Sequence, residues 1–295
     1  MRFGIMEMQL ERLISFDSGA ESAVDQILNF DRGKLISGLV QEGFPLIELG
    51  GDLGLFFRSA YREKTIQQLA KIKKELDLSF TVHLPLWSVE PSTPLEPVRL
   101  GSEDAIMDVM DAVQPLEPEL YVLHATGSLA AEFYRMNLPQ TAKSLILKQF
   151  QGGAISSIRD ILEETGLPSR KLAIETIEFP LELTLEIAEL LNLSICLDTG
   201  HVLAGFSGAV AFKDALEACL PRLAEVHLHD SPDFMKTGKL GYDQDHQALG
   251  TQDLDVKYFL KQLKEHNFSG PVIFELSVKD AKKSMAYIQN LGVSV

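Results

Sequence analysis

The chain has 295 residues, 45% of them hydrophobic and 23% charged, which is the composition of an ordinary globular protein with one large core. Its 27 Lys and Arg residues face 42 Asp and Glu residues, and the net charge of -15 would repel a polyanion, so extensive nucleic-acid binding is disfavoured. The two cysteines are too few for a disulfide scaffold and lack the spacing of a zinc motif.

The first eight residues have neither the charged start nor the apolar stretch of a signal peptide. Nowhere in the chain do about 18 apolar residues follow one another, as a membrane-spanning helix requires. We therefore expect a soluble cytoplasmic protein with reduced cysteines and no membrane association. The sequence leaves the oligomeric state open.

Short apolar or β-branched runs recur along the chain, and longer amphipathic stretches separate them, which is typical of β/α units. Eight runs are predicted strands: Phe3 to Met6, Leu46 to Leu49, Phe80 to Leu84, Leu120 to His124, Leu172 to Thr176, Ile195 to Asp198, Ala224 to Leu228 and Val272 to Leu276. Eight units in a chain of this length predict one α/β domain over residues 1–295, a (β/α)8 TIM barrel. The alternatives are fewer strands or an open doubly wound sheet, although no GxGxxG motif follows the first strand.

The intervening stretches predict helices and two long loops. Helices are expected at Thr65 to Leu76 and at Glu103 to Val113, where apolar residues recur with helical spacing. The stretch from Pro85 to Pro97 holds four of the 13 prolines and predicts a loop. The glycine-containing region from Ser231 to Asp255 matches no regular element.

Catalytic residues of such barrels lie where the strands end, at the carboxyl side of the barrel. Six consecutive predicted strands, the third to the eighth, bring metal-competent side chains there: His83, His124, Glu175, Asp198 with His201 three residues on, His227 and Glu275. Their strand neighbours, such as Val82 and Leu197, are apolar and would face the helices, so the polar side chains would point inward. Burying this many carboxylates and imidazoles without a cation is costly, so the pattern predicts bound metal.

Taken singly, these residues have structural explanations. Glu175 or Glu275 could belong to a buried ion pair, and Asp198 could cap the following helix. Taken together, five of the seven histidines fall at strand ends or in the adjacent loop: His83, His124, His201, His227 and His246. His229 shares the alternation of His227 and could be a ligand or a partner of one, whereas His266 is expected to face solvent. The cluster as a whole therefore favours a metal site.

With these residues, the chain resembles the xylose-isomerase-like TIM-barrel superfamily along nearly its whole length; the superfamily includes sugar epimerases and type IV apurinic endonucleases. The resemblance implies that a divalent metal is bound by Glu175, Asp198, His227 and Glu275. The endonuclease branch carries further histidines, and by resemblance His83 and His124 would join Glu175 at one metal while His201 and His246 would serve a third.

One position departs from that branch. The aspartate expected two residues before His246 is Gln244, so Asp243 or Asp245 could replace it, or the third site could be weak or empty. The resemblance thus implies two or three ions per chain. Zinc is the expected metal, and manganese, iron or cobalt would also suit imidazole and carboxylate ligands.

An expanded metal cluster suits hydrolysis of a phosphodiester, because neighbouring ions can clamp both the attacking and the leaving oxygen. The stretches Val82 to Trp87 and Tyr121 to His124 are similar to the cobamide-remodelling phosphodiesterase branch, which implies cleavage of the nucleotide loop of a corrinoid into adenosylcobinamide phosphate and the lower-ligand nucleoside. In that case Trp87 to Pro97 and Ser15 to Phe30 could surround the corrinoid, or they could merely cover the barrel.

Two further function classes stay open. In a sugar isomerase or epimerase, one metal would polarise a carbonyl while Glu175 and Glu275 exchanged protons with the substrate as acid and base. A barrel that binds a ligand without catalysis is the third class. In each case the expected partner is a small molecule.

Overall fold

The computed structural model describes residues 1–8 and 29–292, and these form a closed barrel. Its eight parallel strands follow one another in chain order, and the first strand pairs with the last to close the barrel. The strands are β1 (Arg2–Met6), β2 (Leu46–Gly50), β3 (Ser79–His83), β4 (Tyr121–Leu123), β5 (Leu172–Glu175), β6 (Ser194–Asp198), β7 (Leu223–His227) and β8 (Pro271–Phe274). The predicted TIM barrel is confirmed, and the alternative of an open doubly wound sheet is wrong.

All eight predicted strands overlap observed ones, with ends that differ by one or two residues. The strands are easy to recognise because both faces of a parallel barrel are covered, so their residues are mostly apolar and buried. In β2, for example, all five residues are buried.

Helices surround the barrel, and the described residues contain twelve. They are α1 (Arg32–Gln41), α2 (Leu53–Phe56), α3 (Glu63–Leu76), α4 (Glu96–Val113), α5 (Ser128–Arg135), α6 (Gln140–Thr165), α7 (Leu181–Leu190), α8 (Thr199–Leu203), α9 (Phe212–Cys219), α10 (Phe234–Thr237), α11 (Val256–Glu265) and α12 (Val278–Asn290). Short 3-10 turns follow at Gln114–Leu116, Ser169–Lys171 and Leu220–Arg222. The predicted helix beginning at Thr65 corresponds to α3, which buries Ile66 and Leu69 against the barrel.

The predicted start of the fourth helix was wrong. Helix α4 begins at Glu96 and includes Pro97, which we expected to end the preceding loop. Proline is well tolerated in the first turn of a helix because its missing N–H would have no partner there. The loop before α4 therefore ends at Leu95.

The region from Ser231 to Asp255 is mostly irregular, as expected, but contains the short helix α10. Asp230 and Gln247 form an isolated antiparallel bridge, which brings the far part of this loop back to the end of β7. None of the helices in the described ranges has both the length and the apolar character needed to span a bilayer.

The main core lies between the strands and the helices. It contains the outward strand residues that we expected to face the helices, including Val82, Ile174 and Leu197, all fully buried. A smaller cluster fills the barrel interior and includes Val122, Ala173 and Cys196. The inward positions nearer the carboxyl end are polar, and they form the candidate site.

Candidate metal centre

The predicted ligands meet at the carboxyl end of the barrel. His83, Glu175, Asp198 and His227 are the last residues of their strands, and His124 and Glu275 follow the ends of β4 and β8 directly. All eight predicted ligand residues belong to groups whose ligand atoms lie within 4.8 Å of one another: His83, His124, Glu175, Asp198, His201, His227, His246 and Glu275. The structure thus brings them together, and metal binding by them stays a prediction.

The first group consists of His83, His124 and Glu175. Nε2 of His83 lies 3.1 Å and Nε2 of His124 lies 3.0 Å from the same oxygen, Oε2 of Glu175. Glu175 is buried, with 1% of its side chain exposed, whereas 16% of His124 is exposed toward the cavity above. Two imidazoles therefore converge on one carboxylate oxygen.

The second group shares Glu175 with the first and adds Asp198, His227 and Glu275. Nδ1 of His227 lies 3.5 Å from Oε2 of Glu175 and 3.4 Å from Oε1 of Glu275. The other oxygen of Glu175, Oε1, lies 3.2 Å from Nδ1 of His201. Glu175 thus has imidazoles facing both of its oxygens, at the point where the groups join.

The third group contains His201, His229 and His246. Of the three residues considered for the carboxylate at this end, Asp243 and Gln244 are exposed, whereas Asp245 is half-buried. Oδ2 of Asp245 lies 3.0 Å from Nδ1 of His246 and 4.0 Å from Nε2 of His201. Asp245 is therefore the carboxylate that the fold brings to the third group.

Hydrogen-bond partners from the backbone and from a buried side chain orient two of the predicted ligands. Nδ1 of His83 lies 2.9 Å from the backbone oxygen of Leu84, so this nitrogen carries the proton and Nε2 is left to face Glu175. Nε2 of His227 lies 3.1 Å from one oxygen of Glu48 and 3.4 Å from the other. A carboxylate behind a histidine is the usual arrangement for directing the opposite nitrogen at a metal.

Our sequence reasoning missed Glu48 and its neighbour Glu225. Thr81 donates a hydrogen bond to Glu225 at 3.0 Å, and burial together with the nearby charge of Glu48 raises the pKa of Glu225 well above its ordinary value. The signal was present, since a glutamate inside an otherwise apolar strand must be buried with a partner. It was overlooked because neither glutamate ends its strand.

The charges of the site are arranged as alternating imidazoles and carboxylates. Burial alone would raise the pKa of Glu175, but the charges of His124 and His227 hold it well below the ordinary value. Burial would lower the pKa of His83, but its hydrogen bond with Glu175 and the charge of that carboxylate raise it to about 9. His201 reaches about 9 for the same reasons, with Asp198 and Glu175 as partners. Without a metal, protons therefore balance the carboxylates.

The donor set fits divalent cations. Nδ1 of His201 and Nδ1 of His227 are buried and make no well-directed hydrogen bond, although carboxylate oxygens lie 3.2 to 3.5 Å away. Metal bonds of about 2.0–2.1 Å would place neighbouring ligand atoms about 3.0–3.4 Å apart. The observed spacing and the unpartnered nitrogens fit the predicted role as ligands, and the absence of thiolate fits the expected metals.

Three remaining residues behave as structural ones. Cys196 and Cys219 are free and buried, and burial raises the pKa of both thiols, to about 12 for Cys219. Low reactivity follows, because the thiolate is the reactive form. His266 is exposed at the end of α11, as predicted, and its Nδ1 lies 2.9 Å from the backbone oxygen of Gln262.

A cavity of about 820 Å³ opens above the ligand groups. Trp87 lines it with 53% of its surface exposed, and its ring packs edge to face against Phe56, with 5.7 Å between centroids. The loop that begins at Pro85 is anchored by Asp52, whose carboxylate accepts the backbone N–H of Leu86 at 2.9 Å and that of Trp87 at 3.4 Å.

Only part of the predicted substrate loop reaches the cavity. Its central residues, from Val89 to Thr93, are largely buried, and the Glu90 carboxylate accepts the backbone N–H groups of Gly127 and Leu129 at the start of α5. The central part of this loop is therefore packed into the protein, and Trp87 is the residue of the predicted segment that lines the cavity. The other predicted segment, Ser15 to Phe30, lies outside the described residues except for its last two.

The sequence matches the family of xylose isomerase-like TIM barrels over residues 38–291, and the chain therefore belongs to this family. The uncharacterized protein MJ1311 of Methanocaldococcus jannaschii is 27% identical over 234 residues, which cover 75% of this chain and 72% of that protein. The expected superfamily is thus confirmed.

Two solved structures show the same fold over nearly the whole chain. A D-tagatose 3-epimerase-like protein superposes with a TM-score of 0.71 at 19% identity, covering 99% of this chain and 97% of its own. The 3-keto-D-glucoside 4-epimerase YcjR of E. coli superposes with a TM-score of 0.67 at 15% identity, covering 98% and 99%. Because identity is this low, the likeness establishes the fold alone.

Proposed function

We propose that this protein is a divalent-metal-dependent phosphodiester hydrolase. The observation that carries the proposal is the position of Glu175, whose two oxygens face His83 and His124 on one side and His201 on the other. A carboxylate shared between ligand groups is suited to bridge neighbouring ions. When bound, such ions would clamp the oxygens of a phosphodiester and lower the pKa of water near neutrality.

Three groups of side chains would hold the ions, and one of their carboxylates would face the substrate. His83 and His124 would hold the first ion with Glu175, which would also complete the group of Asp198, His227 and Glu275. His201 and His246, with Asp245, would hold a third ion. Glu275 lines the cavity, and its pKa lies well below the ordinary value because the charges of His227 and His246 outweigh burial, so it would face substrate as a carboxylate.

The cavity supports a bulky substrate. Its volume of about 820 Å³ lies high in the range of roughly 300–1,000 Å³ for sites of drug-sized ligands. Trp87 and Phe56 add exposed aromatic surface at its wall and rim. Together with the resemblance of the strand ends to the cobamide-remodelling branch, this favours the nucleotide loop of a corrinoid as the phosphodiester.

The direct test is to incubate the purified protein, loaded in turn with zinc, manganese, iron or cobalt, with an adenosylcobamide and to separate the products chromatographically. We expect adenosylcobinamide phosphate and the free lower-ligand nucleoside. If no nucleoside is released with any of the four metals, the cobamide substrate is rejected. A panel of smaller phosphodiesters then tests hydrolysis itself.

A second candidate is a sugar isomerase or epimerase, and the similar solved structures favour it because both are named as epimerases or epimerase-like. That reaction needs one metal and two glutamates able to exchange protons with the substrate. The crowding of Glu175 by imidazoles supports hydrolysis over this alternative. Incorporation of solvent deuterium next to the carbonyl of a turned-over ketose would support the epimerase.

One substitution separates the two candidates. His124→Asn removes a ligand of the first group and leaves Glu175, Asp198, His227 and Glu275 in place. A hydrolase that needs the expanded cluster would lose most of its activity, whereas an epimerase that needs one ion would keep it. His266→Asn, at an exposed position far from the cluster, is the matched control.

A further inference from the structure

His229 lies two residues beyond the end of β7, where it is fully buried between two predicted ligands. Its Nε2 lies 2.9 Å from Oδ2 of Asp198. Its Nδ1 accepts the backbone N–H of His246 at 2.9 Å. One ring thus connects the residue that ends β6 with the loop that carries the third ligand group.

These two contacts determine which nitrogen of His229 carries the proton. A nitrogen that accepts a backbone N–H must be unprotonated, so the proton lies on Nε2 and is donated to Asp198. In this tautomer neither nitrogen has a lone pair left for a metal. His229 is thereby distinguished from His201 and His227, each of which has a buried nitrogen without a well-directed hydrogen bond.

The ring is also held in place sterically. It stacks on the ring of His246, with 4.0 Å between centroids and 10° between planes. A Cβ atom at Gly200 would lie only 2.1 Å from the His229 ring, so glycine is required there to make room for it. The hydroxyl of Thr199 donates to the backbone oxygen of His229 at 2.7 Å and accepts its N–H at 3.1 Å.

The contact with His246 offsets a local strain. The backbone of His246 has φ of 53°, in the left-handed region that is strained for a residue with a side chain. Such a conformation persists only where neighbouring groups fix it. The hydrogen bond from the His246 N–H to His229 is one of these groups, and it acts at the residue that carries the ligand.

We propose that His229 is a positioning residue that fixes Asp198 and His246 relative to each other, and that it is not a metal ligand. The inference rests on the proposed metal centre, in which Asp198 belongs to the second group and His246 to the third. Its consequence is that the two halves of the His229 ring act on different ions: the Nε2 side on the ion at Asp198, the Nδ1 side on the ion at His246.

Two conservative substitutions separate these halves. In His229→Gln the side-chain amide lies near the former Nε2 and can donate to Asp198, but nothing accepts the N–H of His246. In His229→Asn the amide oxygen lies near the former Nδ1 and can accept from His246, but the contact with Asp198 is lost. Each variant therefore keeps one hydrogen bond, and a difference between them cannot come from general unfolding.

The measurement is cobalt(II) titration of the metal-free protein, followed by visible absorption and by metal content per chain. We expect His229→Gln to weaken cobalt binding at His201 and His246 by about 10–100-fold. His229→Asn should weaken cobalt binding at Asp198 by a similar factor. His266→Gln is the control. The proposal is overturned if both variants bind cobalt like the wild type, or if both lose the same single ion.

The failure of the proposed metal centre would look different. If the wild-type protein itself binds no cobalt, the metal centre is rejected and the role of His229 with it. A steric test does not depend on metal: Gly200→Ala should lower the unfolding midpoint clearly in the wild type but little in a His229→Ala background. Equal losses in both backgrounds would contradict the proposed packing of the His229 ring.

Discussion

At the scale of single residues, Glu175 contributes most to the proposed site because imidazoles of four histidines surround its two oxygens: His83, His124, His201 and His227. Replacing it by glutamine keeps the shape of the side chain and removes the charge. Substitutions next to metal ligands already weaken binding by about 10–100-fold. A shared ligand should matter more than such a neighbour. We therefore expect Glu175→Gln to weaken zinc binding by more than about 100-fold.

This prediction is checked by zinc titration against a competing chelator. Glu119→Gln is the matched control, because Glu119 lies before β4 at the opposite end of the barrel, where it pairs with Arg2. Zinc affinity within tenfold of the wild type in Glu175→Gln would show that the glutamate is not a shared ligand.

That the candidate ligands come together could be predicted from sequence, because strand ends of a barrel converge and a polar residue there breaks an apolar pattern. The residues that orient them could not be assigned the same way. Glu48 acts from the middle of β2, and its partner His227 is 179 positions away in the sequence. The sequence did not decide whether Asp243 or Asp245 supplies the carboxylate of the third group. The direction of a loop side chain depends on contacts that the sequence does not reveal.

At the scale of elements, the loop from Ser231 to Asp255 depends on one buried carboxylate. Asp230 accepts five backbone N–H groups, at distances from 2.8 to 3.2 Å: those of Ser231, Gly250, Thr251, Gln252 and Leu254. Hydrogen bonds to a charged acceptor contribute about 1.5–3 kcal/mol each. The conformation of the loop that carries His246 is therefore fixed by Asp230, which lies just before the loop begins.

We expect Asp230→Ala to lower the free energy of unfolding by about 3 kcal/mol or more, because it leaves several backbone donors without a partner. Urea denaturation measures the loss. Asp233→Ala is the control in the same loop, since Asp233 caps the short helix α10 and its removal should cost about 1 kcal/mol. Equal losses in both variants would show that Asp230 does not organise the loop.

Elements differed in how well sequence predicted them. Strands were found because a short apolar or β-branched run is a local property of a few residues. The start of α4 was misplaced because proline ends a helix in the interior and begins one in the first turn, and only the fold decides which applies. The loop after β7 had no local signal, because its order comes from Asp230 and from the bridge between Asp230 and Gln247.

At the scale of the whole molecule, the cavity and its single tryptophan offer a direct report on substrate size. Trp87 is the only tryptophan in the chain, and it lines the cavity. We expect an adenosylcobamide to quench its fluorescence and a ketohexose to leave it nearly unchanged. Quenching by the ketohexose and not by the cobamide would favour the second candidate function.

The same residue predicts a kinetic effect. Trp87→Ala removes apolar contact with the bulky part of the substrate but touches none of the ligand groups, so we expect KM to rise about tenfold, or about 1.4 kcal/mol, with little change in kcat. Leu145→Ala, an exposed apolar position on α6, is the control. A fall in kcat with unchanged KM would contradict a binding role.

The balance between protons and metal also predicts how the stability of the whole molecule depends on pH. The pKa values of His83 and His201 rise from 6.5 to about 9 through their carboxylate partners, after burial has acted in the opposite direction. A group whose pKa is raised in the folded state contributes stability that is fully present below its unfolded pKa. That contribution is lost as the pH increases through the folded pKa. The chelator-treated protein should therefore lose stability between pH 6.5 and about 9.

Metal should reverse this trend, because it binds neutral imidazoles and is favoured as their protons leave. We expect the gain in unfolding free energy on adding zinc to increase from pH 6.5 to about 9, since ligand binding to the folded state adds stability in proportion to its affinity. Urea denaturation with and without zinc at several pH values measures both curves. A zinc-dependent gain that stays constant across this range would contradict ligation by these histidines.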